Sequence, residues 1–188
     1  VNGKQVGLHE NGVMAFGLDV SDIVVFDGKP NSIALRIDND WHYRQRSTNA
    51  TYRWNNINFN ANYGGIPKNV FLHVTDKLYQ TLPLYSNLKT TGVYVYATDF
   101  DIPQAAATIH VESEVKNEYD TPKTFQYSVA VFDLEHNKVA EFSGDETKLA
   151  PGELTKVSAA QRLGDLNFWS WGYGYLYTVK SMLKVEGN

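Results

Sequence analysis

No cysteine occurs in the 188 residues. That excludes a disulfide framework, a thiolate metal site and a Cys nucleophile, and it leaves no redox signature of compartment. No apolar run reaches the length of about 18 residues that a membrane-spanning helix needs. Positive charge is scarce as well. Lys and Arg number 17 against 21 Asp and Glu, for a net charge of −4, and they form no basic cluster. Phosphate binding needs concentrated Lys and Arg, which argues against nucleic acid as a partner. The five histidines, His9, His42, His73, His110 and His136, never fall at a metal-ligand spacing, so no metal site is predicted. Gly172-Tyr173-Gly174 does not open a helix after a strand and is no phosphate loop.

What is present is a packable composition, 43% hydrophobic, in an order that repeats short alternating segments between turn signals. Ser32 to Asp38 alternates, with Ile33, Leu35 and Ile37 on one face and Arg36 and Asp38 on the other. That predicts a half-buried antiparallel strand. Lys68 to Val74 predicts another. Later come Val93, Val95 and Ala97; Ile109, Val111 and Val115; Phe125, Tyr127, Val129 and Val131; and Tyr177, Val179, Leu183 and Val185, each set sharing a face. Turns are marked by His136-Asn137-Lys138 and Pro151-Gly152. No amphipathic helix stands out. The reading is all-β, with a partial β domain over 1–76, a connector over 77–91 and a β-sandwich of immunoglobulin-like spacing over 92–188.

Between the first two predicted strands, residues 39–62 have no sustained period but are rich in Asn and aromatics. Asn55, Asn56, Asn58, Asn60 and Asn62 alternate with Trp54, Phe59 and Tyr63. Amides donate and accept hydrogen bonds and rings offer flat apolar faces, which suits a neutral, hydroxyl-rich ligand such as a sugar. The same composition also suits an ordered loop, since Asn tolerates turns. A loop this long inside a domain tends to be functional.

No catalytic set is visible. Glu112 and Glu114 lie two apart on the outward face of a strand, where solvation would keep their pKa values alike and no acid and base would separate. Phe168, Trp169 and Trp171 read as a hydrophobic plug at one end of the sandwich.

The chain opens on Val1 and then Asn2-Gly3, the strongest short signal for a tight hairpin. A hairpin needs a strand before that turn, so the expectation is a polypeptide cut inside a domain. An incomplete first sandwich has open strand edges, which predicts self-association through residues 1–76.

Several stretches together resemble glycoside hydrolase family 2, which includes β-galactosidases, β-glucuronidases and β-mannosidases. They are Val1 to Gly7 with His9, Phe16 and Asp19-Val20; Asn31 to Asn39; Tyr63 to Val70, where Lys68 stands at the place of a commoner Arg; and Leu166 to Ser170 followed by Tyr175 to Val179. Taken together, in the family's order, they cover almost the whole chain. The resemblance implies the later part of a sugar-binding jelly-roll domain followed by an immunoglobulin-like sandwich. It also implies an enzyme, β-galactosidase-like, whose catalytic (β/α)₈ barrel lies beyond this chain. In that family two glutamates about 5 Å apart carry retaining hydrolysis, and both belong to the barrel. No catalytic residue and no cofactor are therefore expected here, and the chain alone should be inert.

The resemblance also places Trp54, Phe59, Asn60 and Asn62 at the rim of the substrate pocket. Some β-galactosidases carry a carboxylate there as a sodium ligand. This chain has Phe59 and Asn60, with no Asp or Glu between Asp40 and Asp76, so no charged metal ligand is expected. The expected partners are a β-galactoside or related carbohydrate and the barrel, and a periplasmic or secreted location is favoured over the cytoplasm. Two other readings stay open: a stand-alone carbohydrate-binding module using Trp41, Trp54, Phe59 and Tyr63, and an adhesion or scaffold pair of immunoglobulin-like domains.

Overall fold

A computed structural model describes residues 1–10, 14–40, 42–51 and 64–185. The chain divides into two units, Val1–His73 and Val74–Asn188.

Turns and amide side chains, rather than ladders, organise the described part of the first unit. Asn2 and Gly3 have φ values of 48° and 76°, the left-handed pair that a two-residue hairpin turn requires. The Lys4 N–H donates to the Val1 carbonyl at 2.8 Å, closing the predicted turn. Asn2 then ties distant segments together. Its Nδ2 donates to the Ile23 carbonyl at 3.1 Å and to Asn31 Oδ1 at 2.8 Å, and its Oδ1 accepts from the Ser32 N–H. Asn31 in turn clasps Val25, accepting from its N–H and donating to its carbonyl, each at 2.9 Å.

The strand predicted over Ser32 to Asp38 does not form. Among the described residues the backbone there has no ladder partner, and Ile33 is 67% exposed, with Leu35 and Ile37 exposed beside it. The same holds for the predicted strand from Lys68, where Val70, Leu72 and Val74 are all exposed. Alternation sorts side chains between two faces, but burial needs a second layer, and none of the described residues supplies it.

The second unit is a sandwich of two antiparallel sheets. Its elements are β1 (Leu78–Gln80), the one-turn helix α1 (Tyr85–Leu88), β2 (Val93–Asp101), β3 (Ala106–Asn117), β4 (Lys123–Phe132), β5 (Lys138–Leu149), β6 (Leu154–Leu163) and β7 (Thr178–Val185). The stretch 77–91 thus contributes β1 and α1, each too short to show a period in sequence. In the first sheet β3 is central. β6 runs along one edge, while β1 and β2 share the other, β1 beside Val115 to Asn117 and β2 beside Ala106 to Ser113. The second sheet is β5-β4-β7.

The faces fall where alternation places them. Val111 and Val115 from β3 meet Phe125, Tyr127, Val129 and Val131 from β4, with Phe142, Leu149, Val157 and Leu163 completing the core. Val179, Leu183 and Val185 of β7 pack against it. One polar bridge crosses the layers near this core. Gln80 Oε1 accepts from Ser113 Oγ of β3 at 3.0 Å and from Ser181 Oγ of β7 at 2.7 Å.

The strand directions give the sandwich two unlike ends. β2, β4 and β6 run toward an end formed by loops 102–105, 133–137 and 164–177. β3 and β5 run toward the other, formed by turns 118–122 and 150–153. β1 starts at this second end, with Leu78 opposite Asn117, and β7 returns to it, with Val185 opposite Phe125.

Candidate functional site

The predicted rim residues Trp54, Phe59, Asn60 and Asn62 lie outside the described residues, as do Trp41 and Tyr63. The root of their loop is described. Residues 44–51 close on themselves through a bridge between Arg44 and Thr51 and a bond from the Gln45 N–H to the Ala50 carbonyl at 2.9 Å. Glu10 anchors this closed loop. Its Oε1 accepts from the Tyr43 hydroxyl at 2.7 Å and from the Arg46 N–H at 2.9 Å. Those bonds, Tyr43 first, hold the Glu10 carboxyl below the ordinary carboxylate pKa, and the same contact pushes the Tyr43 phenol up. Sequence offered no sign of this pairing, because the partners stand more than thirty positions apart in unpatterned chain.

In the second unit the outward face of β2 and β3 carries a small aromatic and acidic group. The Tyr96 ring stacks on His110 with centroids 4.7 Å apart and an interplanar angle of 5°. The Tyr96 hydroxyl donates to Glu112 at 3.1 Å, which pushes the phenol's pKa up, and Thr98 Oγ1 lies 2.8 Å from His110 Nε2.

Glu114, read from sequence as solvated, is only 5% exposed. The chain between β1 and β2 folds over it. Thr81 Oγ1, the Thr91 N–H and Thr91 Oγ1 all donate to its carboxyl oxygens, at 2.8, 3.1 and 3.2 Å. Gly92 makes this close cover possible: its φ is +65°, and a Cβ there would lie 2.4 Å from the Pro83 nitrogen. Glu114 is thus a structural tie with its acceptors occupied by Thr81 and Thr91, while Glu112, two residues away on the same face, is bonded to the Tyr96 hydroxyl. Among the described residues no group of three or more His, Asp or Glu could hold a metal ion.

The aromatic segment after β6 differs from the predicted plug. Phe168 does pack, with its ring 5.8 Å from Phe100. Trp169 is 64% exposed and Trp171 96% exposed. Ser170 and Tyr173 exchange backbone bonds at 3.0 and 2.9 Å around Gly172, whose φ is +82°. That turn projects Trp171 from its tip. Behind it Tyr173, Tyr175 and Tyr177 form a ladder with centroids 5.9 and 5.1 Å apart. The Tyr177 hydroxyl accepts from the Asn167 N–H, and the Tyr173 hydroxyl donates to Asn167 Oδ1.

Residues 92–188 match the family described as glycosyl hydrolases family 2. The chain belongs to that family. Over its whole length it is 35% identical to a β-glucuronidase of Formosa agariphila and 23% identical to a β-galactosidase of Bacteroides ovatus. In each case it spans only 19% of the relative. The solved structure of a family 2 β-glucuronidase superposes on 97% of this chain with a TM-score of 0.85 and 32% identity, using 18% of its own chain. The likeness therefore extends through both units, including the first, where the described residues form no strand ladder.

Proposed function

We propose that this chain is the non-catalytic β-sandwich region of a retaining β-glycosidase. The 35% identity from end to end with a β-glucuronidase carries the reading. It makes a β-glucuronide the first substrate class to test on the complete enzyme. The β-galactoside expected from sequence is supported by the more distant Bacteroides ovatus relative, at 23% identity.

Within that enzyme the second unit is an immunoglobulin-like sandwich. The pairing of β3 with β6 in one sheet and of β4 with β7 in the other supports this assignment, while β5 departs from the commoner arrangement by pairing with β4. The first unit is the later part of a jelly roll. Its loop carrying Trp54, Phe59, Asn60 and Asn62 forms the rim of the sugar site, a role supported by the way Glu10 fixes the loop's root. The two catalytic glutamates lie in a barrel outside this chain, so the chain's part is to brace that barrel and shape the pocket's edge. The exposed apolar residues Ile33, Leu35 and Ile37 support self-association of the isolated chain through its first unit.

The test is to express the polypeptide translated from the whole gene beside the 188-residue chain, and to assay both with nitrophenyl β-glucuronide and β-galactoside. The longer protein should hydrolyse one of them and the shorter neither. A gene that stops at Asn188, or a longer product inert on both, would overturn the reading.

A further inference from the structure

The strand registers set side chains in rows across the outer face of the β2–β3–β6 sheet. Tyr94 lies opposite Glu112 and Glu112 opposite Ser158. In the next row Tyr96 lies opposite His110 and His110 opposite Ala160. Each row thus steps down from a ring on β2 to a small, exposed residue on β6. Tyr94 is 63% exposed, and its ring lies 5.4 Å from the Tyr96 ring. Tyr96 is itself held by its stack on His110 and by the bond from its hydroxyl to Glu112. The wall behind Tyr94 is therefore fixed before any ligand arrives.

Beside this wall a cleft of about 230 Å³ opens, lined by Thr91, Tyr94, Glu112 and Lys156 among other residues. Lys156 and Glu112 are diagonal neighbours across β6 and β3, positions about 7–8 Å apart. They form no ion pair, and Lys156 forms none with any other described residue. The Tyr96 hydroxyl occupies Glu112 Oε1, and Oε2 has no partner among the described residues. From Glu114 and Lys156 to Thr108 and Arg162 the outward positions of the three strands include no Val, Leu, Ile, Met or Phe. Tyr94 alone does not make the apolar centre of a protein interface. Nucleic acid needs several free cations, and Arg162 is already engaged by Asp101 at 3.7 Å.

We propose that this cleft is a surface binding site for a uronate unit of a carbohydrate chain. A uronate ring carries a carboxylate at one edge, hydroxyls at the others and C–H groups on its faces. Those three features match what the cleft offers. Lys156 pairs with the carboxylate, Glu112 Oε2 accepts from a hydroxyl, and the Tyr94 ring lies under the C–H face. The diagonal from Lys156 to Glu112 is the span of one sugar ring with its substituents, so a single unit reaches both. A neutral sugar leaves Lys156 without a counter-charge. The choice of a glycan over other carboxylates rests on the reading under Proposed function.

Isothermal titration calorimetry of the 188-residue chain tests this with two probes. One is a hyaluronan hexasaccharide, in which glucuronate alternates with an N-acetylated amino sugar. The other is cellohexaose, equally long and uncharged. The hexasaccharide should bind about fivefold more tightly than cellohexaose. Lys156→Gln should remove that difference, fivefold being the upper end for an exposed ion pair, and leave cellohexaose unchanged. Tyr94→Ala should weaken both by about tenfold, the order of one lost ring contact, while Tyr94→Phe keeps the ring and binds as wild type. If Tyr94→Ala lowers the melting temperature, Lys156→Gln and Tyr94→Phe still decide the matter. No binding at millimolar sugar, equal binding of cellohexaose, or binding unmoved by Lys156→Gln overturns the inference. Binding that disappears as the chain is concentrated assigns the face to a second copy and overturns it too. The nitrophenyl glycoside assay on the longer protein tests the functional reading separately. Hydrolysis there with no binding by this chain overturns the site and leaves the functional reading. Binding with neither glycoside hydrolysed overturns the functional reading and leaves the site.

Discussion

Asn2 and Asn31 hydrogen-bond to each other through their side-chain amides, Nδ2 to Oδ1 at 2.8 Å, although 29 positions separate them. Each also grips backbone elsewhere, Asn2 at Ile23 and Ser32, Asn31 at Val25. Two of the stretches that resemble the family therefore meet at a single amide pair. Asn31→Ala removes three of these bonds at once. The expected cost is about 1 kcal/mol per bond at most, less for these exposed groups. Amide exchange should quicken in residues 1–40 and stay unchanged in β3 and β6.

The approach of β5 to β6 leaves no room for a side chain at Gly144. A Cβ there would lie 2.1 Å from the Ser158 carbonyl oxygen, a backbone atom that cannot rotate away. Gly144→Ala should destabilise the second unit by about 1–3 kcal/mol, the usual cost of overpacking. Thermal denaturation followed by near-ultraviolet circular dichroism would measure it.

Asn117 is fully buried, and its Nδ2 donates to the carbonyls of Thr121, Leu149 and Ala150 at 3.0 to 3.1 Å, while its Oδ1 accepts from the Tyr119 N–H. Asn117→Ala strands those carbonyls and should cost about 1–3 kcal/mol. Asn117→Asp should be worse at neutral pH, because a carboxylate then faces three carbonyl oxygens. Its folded pKa would be raised above the unfolded value near 3.9. The variant's stability is then fully present below that value and lost as pH rises through the folded pKa. Denaturant melts at pH 4 and pH 7 should show the gap between the Asp and Ala variants narrowing in acid.

The Tyr127 side chain is fully buried, and its hydroxyl has no hydrogen-bond partner among the described residues. Burial pushes its pKa up, and the nearby Ser181 and Ser113 hydroxyls, outside bonding geometry, oppose this more weakly. A raised folded pKa means that the phenol's contribution is complete below the unfolded value near 10 and is lost as pH rises through the folded one. Wild type should therefore lose stability in alkali more steeply than Tyr127→Phe. At neutral pH Tyr127→Phe should match or exceed wild type, since it removes an unsatisfied buried hydroxyl. Urea melts at pH 8 and pH 11 would decide both points.

The sequence was readable wherever both layers of a sandwich come from this chain. Val111, Val115, Phe125, Tyr127, Val129 and Val131 were all placed inward by alternation, and all are core. The same rule failed at Ile33, Leu35 and Ile37, because period two reports which face is apolar and says nothing of what covers it. Glu114 misled for a related reason. Its strand position is outward, but the chain around Thr81 and Thr91 lies over it, and that fold-back depends on Gly92 rather than on any period. Trp169 and Trp171 show the opposite error, aromatic residues read as packing that in fact face outward. The Glu10–Tyr43 contact was invisible because it joins two irregular segments.

Gln80 belongs to both layers of the sandwich, since its Oε1 accepts from Ser113 in one sheet and from Ser181 in the other. Apolar packing holds two sheets together but is indifferent to small sliding movements, because it has no direction. A hydrogen bond has one, so a single side chain bonded to both layers acts as a rivet that sets how one sheet is registered on the other.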